Sequence, residues 1–99
     1  MPDPSTIVLS PADNVAICRR NVAAGEPLAM DGDIAVARSD VPIGHKIARR
    51  LIPAGAEVVK YGMSIGVATI DVQPGEWVHL HNLQSNYIST HMRNSELRS

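Results

Sequence analysis

Four tight-turn signals at short intervals restrict this chain to a fold of short strands. Each consists of an apolar residue, two further residues, a glycine and usually a polar residue. They read Val22-Ala23-Ala24-Gly25-Glu26, Val41-Pro42-Ile43-Gly44-His45, Ile52-Pro53-Ala54-Gly55-Ala56 and Val72-Gln73-Pro74-Gly75-Glu76. A proline before the glycine fixes φ at one turn position, and glycine accepts φ > 0 at the next. The pattern predicts that Gly25, Gly44, Gly55 and Gly75 lie in turns, at least two of them with φ > 0. The glycine intervals of 19, 11 and 20 residues are too uneven for a solenoid. They leave open a pseudo-symmetric pair of halves.

The stretches between these turns read as strands. Ile7-Val8-Leu9 is short and apolar, and strands are expected at 14–22, 33–38, 46–52, 57–61, 65–72 and 77–81. Lys46-Ile47-Ala48-Arg49-Arg50-Leu51 contains good helix formers, but it ends within six residues at Ile52-Pro53, which favours a strand. No segment repeats apolar residues at i, i+3, i+4 and i+7 over ten or more positions. The expected class is therefore mainly β, with many short strands and Gly/Pro turns. Trp77, Tyr61 and Tyr87 are the aromatics and there is no Phe, so Val, Ile, Leu and Ala must form the core. A chain of 99 residues makes one domain and buries roughly 60–65 % of its unfolded surface, enough for one small core. From Asn86 the chain turns polar and loses the β pattern. That end is either a tail or a segment that orders against a partner.

Charge and composition exclude several function classes. The net charge is −1, and the nine basic residues are scattered. A nucleic-acid binder needs a basic stripe and stacking aromatics, and both are missing. No apolar run approaches the ~20 residues of a membrane span. Met1-Pro2-Asp3-Pro4 lacks the basic and then apolar regions of a signal peptide. Cys18 has no second cysteine to pair with in the chain and sits in an apolar context, as a buried structural thiol would. These features favour the cytoplasm.

Three short patterns carry chemistry. In His79-Leu80-His81-Asn82, alternation on a strand would put His79 and His81 on one face and Leu80 in the core. Two such imidazoles can converge on a metal, although a catalytic zinc site has three protein ligands; otherwise they are histidines on the wet face of an edge strand. Gly44-His45-Lys46 presents a proton-shuttling imidazole and a carboxylate-binding amine on a turn, or simply a solvated turn. Lys60-Tyr61-Gly62-Met63-Ser64-Ile65-Gly66 is either a hairpin connection or a loop whose N–H groups cradle an anion, with Lys60 and Tyr61 beside it.

Five pieces in sequence give these patterns a context. They are Pro42-Ile43-Gly44-His45-Lys46-Ile47-Ala48, Ile52-Pro53-Ala54-Gly55, Val59-Lys60-Tyr61-Gly62, Ile65-Gly66-Val67-Ala68-Thr69, and the run from Pro74 through Trp77-Val78-His79-Leu80-His81-Asn82-Leu83. In that order and at those spacings they resemble the N-terminal domain of altronate and galactarate dehydratases, the SAF-domain family. Weaker similarity at Asp13-Asn14-Val15-Ala16 and Ala24-Gly25-Glu26 extends the likeness over most of the chain up to Ser85. The resemblance implies a β-clip fold. It divides the chain into an N-terminal segment (1–12), a SAF-like domain (13–85) and a polar tail or linker to a large catalytic subunit (86–99).

The resemblance also implies a reaction: metal-dependent removal of water from a hydroxy or sugar acid, giving a 2-keto-3-deoxy acid. Related two-subunit lyases, such as sulfolactate sulfo-lyase, carry the SAF-type piece as a separate small chain. The large catalytic part is not in this sequence, so the chain is expected to be a small subunit or an excised domain, inactive alone. The divalent metal, iron(II), manganese or magnesium, would be bound mainly by the large part. His45, Lys46, His79 and His81 would face the active site across the interface, with His79 and His81 as metal ligands. Asn82, Lys60 and Tyr61 would contact substrate. The expected partners are the large subunit and the acid substrate, with homo-oligomers also open, and no nucleic acid or membrane. The competing reading is a non-catalytic SAF module that binds carbohydrate or drives oligomerisation. An antifreeze surface would need a regular Thr array, and the chain has only Thr6, Thr69 and Thr90.

Overall fold

The computed structural model describes residues 5–30 and 33–85. The first four residues and the expected tail at 86–99, with Tyr87, Thr90 and His91, lie outside the described residues. Nine strands follow in order: β1 (Thr6–Ile7), β2 (Val15–Cys18), β3 (Pro27–Met30), β4 (Asp33–Val36), β5 (Lys46–Ala48), β6 (Glu57–Lys60), β7 (Met63–Ala68), β8 (Trp77–Val78) and β9 (Leu83–Ser85). There is no helix among the described residues. The mainly β expectation holds, and the helix formers of 46–51 give a strand that ends at Ala48. β3 and β9 are strands that sequence patterning did not mark. The strands form antiparallel sheets in the orders β1-β2-β5-β8, β3-β4 and β6-β7-β9. β1 packs residues from the N-terminal segment directly onto β2, and Ser5 and Thr6 are buried there.

All four turn glycines have φ between +85° and +87°. The four units also pair with one another. Val22 and Val41 exchange N–H···O bonds of 2.9 and 2.8 Å, and Ile52 and Val72 exchange two of 2.8 Å. The Gly25 N–H donates to Ala37 O, and the Gly55 N–H donates to Ala68 O. Asp40 Oδ1 accepts from the Ala24 N–H, and Asp71 Oδ1 from the Ala54 N–H, both at 2.8 Å. The chain is thus built of two similar halves. The first is displaced onto the second by 30 residues at Val22/Ile52 and by 31 at Val41/Val72.

Each half has its own buried cluster, so the single core expected from chain length is in fact two. Ala16, Cys18, Val22, Leu28, Ala37, Val41 and Ile47 form the first. Val15, Ala48, Ile52, Val58, Ala68, Val72 and Val78 form the second. β2 and β5 separate them. Strand alternation sends Ala16, Cys18 and Ile47 to one side and Val15 and Ala48 to the other. Both faces of these strands are covered, which is why they lack a polar side. Each fully buried Val or Ile contributes about 1.5–3 kcal/mol.

Close backbone contacts lock the halves. Gly75 is where a turn of the second half meets β4 of the first: its O accepts from Arg38 N at 3.1 Å, and a Cβ there would sit 2.3 Å from Val36 O. Gly66 admits β9, since a Cβ would fall 2.2 Å from Gln84 O.

The loop after β6 is a hairpin connection. Tyr61 (φ 56°) and Gly62 (φ 75°) form its two-residue turn with positive φ at both positions, as a type I′ hairpin demands. The amides that were candidates for an anion cradle already hold one. The Asp13 carboxylate, on a residue 1 % exposed, accepts from the N–H groups of Tyr61 and Gly62 at 2.8 Å and of Ser10 at 3.1 Å. Burial pushes the Asp13 pKa up, but these amides and Arg49 outweigh that and hold it below the ordinary range. Asn14 continues the clamp, accepting from Val59 N and donating to Glu57 O.

Candidate functional site

Antiparallel pairing of β5 with β8 brings the two histidine motifs together. Lys46 lies opposite Val78 and Ile47 opposite Trp77. Continued by one residue, this register sets His45, just before β5, opposite His79, just after β8, with Trp77 diagonal to His45. The His45 and His79 rings are 5.0 Å apart between centroids. His79 stacks on the Trp77 indole at 5.2 Å with 13° between planes. His45 and His81 approach the same indole edge-on at 5.5 and 5.8 Å. The indole Nε1–H donates to His45 Nδ1 at 3.3 Å. Since indole N–H is only a donor, neutral His45 carries its own proton on Nε2. Trp77 is thus the platform of the site. Sequence reading passed over it; its place two residues before His79 was the signal that could have found it.

The strand geometry expected for His79-Leu80-His81-Asn82 is not what forms. β8 ends at Val78, and residues 79–82 close a turn. Asn82 N–H donates to His79 O at 3.0 Å, Asn82 Oδ1 accepts from His79 N at 2.9 Å, and Asn82 Nδ2 donates to Trp77 O at 2.9 Å. Leu80 consequently stands at the tip, 73 % exposed, instead of entering the core. Asn82 is 1 % exposed with both ends of its amide bonded to backbone. It shapes the turn that holds His79 and His81 rather than presenting its amide to a ligand. The turn outcompetes the strand because one Asn satisfies backbone groups at both ends.

Beside the imidazoles lies an open recess of about 340 Å³, lined by Lys46, Lys60, Ile65, His79, Leu80, Leu83 and Ser85. Larger surface hollows occur against Pro74 and Pro42, but no histidine or lysine lines them. Tyr61 does not line the recess; it stands exposed at the β6–β7 turn. Burial lowers the His79 pKa, and His45, Lys46 and His81 push it further down, so the imidazole is neutral at pH 7. Burial, then Lys60, lowers that of Lys46.

The structure brings His45, Lys46, Lys60, His79 and His81 to one side of the domain. Their arrangement offers a neutral imidazole at His79 for proton transfer, two further imidazoles beside it and amines for an oxyanion. It does not make a complete metal centre: among the described residues no group of three or more His, Cys, Asp or Glu side chains is placed to hold an ion. Nor, among them, is any helix long and apolar enough to cross a membrane.

Comparison with known proteins gives the family of the chain. The family model of the altronate/galactarate dehydratase SAF domain matches residues 4–86. The chain is 42 % identical to altronate dehydratase of Escherichia coli over 74 residues, 75 % of this chain but 15 % of that enzyme. It is 38 % identical to altronate dehydratase of Bacillus subtilis over 82 residues, 83 % of this chain and 16 % of the enzyme. Against the (2R)-sulfolactate sulfo-lyase subunit alpha of Paracoccus pantotrophus, identity is 43 % over 49 residues, half of this chain and 73 % of that subunit. The chain thus spans a small fraction of the altronate dehydratases it matches and most of the length of a separate lyase subunit. It belongs to the altronate/galactarate dehydratase SAF domain family.

Proposed function

We propose that this chain is the SAF piece of a dehydratase or related lyase acting on a hydroxy acid, and that it works against a large catalytic part. The observation that carries the reading is the gathering of His45, His79 and His81 around Trp77 on an open side of the domain. A reaction that must exclude water needs a second wall, which a domain of this size does not supply. The match to the alpha subunit of a sulfo-lyase, 73 % of which is covered, supports a separate partner.

Elimination of water from a hydroxy acid needs a base for the proton α to the carboxylate and an acid for the departing β-hydroxyl. The electron pair of the broken C–H bond becomes the new double bond, and the hydroxyl leaves with a proton as water. Neutral His79 suits the base, and the imidazolium it becomes can return that proton to the departing hydroxyl; His45, with Nδ1 engaged by the indole, offers its Nε2–H as a hydrogen-bond donor to a substrate oxygen. His81 and the lysines lie where they can hold substrate oxygens. A divalent metal, if the reaction uses one, falls to the large part, because the side chains here do not complete a site.

The test is the complex rebuilt with a large dehydratase-type chain from the same genome and assayed for 2-oxo acid. His79→Ala and His81→Ala should each lower turnover about 10–100-fold and leave association intact. Full activity in both variants would leave the domain a binding or oligomerisation module.

A further inference from the structure

The chain has nine basic residues, of which only two are lysines, and both line the same recess. Lys46 comes from the start of β5 and Lys60 from the end of β6, in the β6-β7-β9 sheet. Lys60 reaches the recess past an irregularity in the hairpin. The register shifts between Val58 and Val59, leaving Ile65 as the extra residue on β7, and Ile65 is a wall of the same recess. Among the described residues neither amine has a carboxylate within ion-pair distance; the Arg20–Glu26 pair lies on another part of the domain. His79 adds a third nitrogen, while Leu80 and Leu83 supply apolar walls. Two half-buried amines facing one hollow without an acid repel each other, and an anion between them removes that repulsion. The depressed pKa of Lys46 has this same origin, burial and then Lys60.

We infer that Lys46 and Lys60 form an anion subsite that holds the carboxylate or sulfonate head group of the substrate against His79. The inference rests on the proposed function for the substrate's identity, but the subsite itself can be tested without it. Lysine labelled with 13C at Cε gives two side-chain signals in this chain. Malonate and sulfoacetate serve as probes, with glycerol as the uncharged control.

In the isolated chain both signals should shift along one saturable curve with either anion, in the millimolar range expected of one or two charge-assisted hydrogen bonds. They should not move with glycerol. Lys46→Met should abolish the shift at Lys60, and Lys60→Met the shift at Lys46. Unsaturated linear drift, or an unchanged curve in either variant, would overturn the subsite. In the rebuilt complex each variant should raise KM about tenfold or more, with a smaller change in kcat, since both lysines bind and neither moves the proton. Wild-type KM in an active complex would refute the lysine assignment while the proposed function stands. A complex with no activity, alongside a saturable shift in the isolated chain, would refute the proposed function and leave the anion subsite.

Discussion

Gly44 and Gly75 occupy equivalent turns in the two halves with nearly the same φ, +85° and +87°, yet they should respond differently to a methyl group. A Cβ at Gly44 would meet nothing within 4 Å. Gly44→Ala therefore costs only the left-handed backbone, about 1–2 kcal/mol. A Cβ at Gly75 would lie 2.3 Å from Val36 O and 3.1 Å from Val36 C. Those are backbone atoms, so no rotamer relieves the clash and β4 must move. Adding the ordinary ~1–3 kcal/mol of overpacking brings Gly75→Ala to about 2–5 kcal/mol. Urea unfolding followed by circular dichroism resolves the two. With a slope of about 1–2 kcal/mol/M, Gly44→Ala should lower the midpoint by about 1 M and Gly75→Ala by at least twice that. Equal midpoints would mean that the contact between Gly75 and β4 does not lock the halves together.

Other outcomes follow from the same structure. Ile47→Val and Ile52→Val, one in each cluster, should each cost about 0.5–1.5 kcal/mol, and the double variant should add within about 0.5 kcal/mol; a coupling above 1 kcal/mol would indicate one shared core. Asp13 titrates below an ordinary carboxyl, so its contribution is fully present above about pH 4 and is lost as the pH falls through its lower folded value. Asp13→Asn should remove part of the acid-induced loss of stability, and an unchanged acid-unfolding profile would contradict the clamp. Trp77→Phe keeps a stacking face for His79 but removes the bond to His45 Nδ1. Its 15N spectrum should show His45 with mixed tautomers, and turnover in the rebuilt complex should fall about tenfold at nearly unchanged KM; a single His45 tautomer in the variant would show that the indole does not set it.

Local chemistry made much of the fold readable. The four Φ-x-x-Gly units fix positive-φ turns because only glycine takes that backbone cheaply, and all four formed as turns. Their uneven intervals hid the repeat. The 19 and 20 residue gaps are the same interval inside two halves, and the gap of 11 is the junction. β3 escaped notice because Pro27-Leu28-Ala29-Met30 has no alternation and opens on a proline, which a strand accepts at its first position. The histidines were recognisable as a group, but not their geometry. A period of two predicts a strand for His79-Leu80-His81, whereas Asn82, binding backbone at Trp77 and His79, folds the segment into a turn. No pattern reports a side chain that reaches back to its own backbone so specifically. The role of Asp13 was likewise hidden, because two of the three amides it caps lie 48 and 49 residues away.

In the proposed function the domain supplies one wall of an active site that a large partner completes. Three parallel assays of 2-oxo acid formation from hydroxy acids, including altronate, galactarate and sulfolactate, test it directly: this chain alone, the large chain alone, and the two mixed. The expected result is no product from this chain alone, little from the large chain, and robust turnover from the mixture. Full turnover by the large chain alone, or by this chain alone, would contradict it.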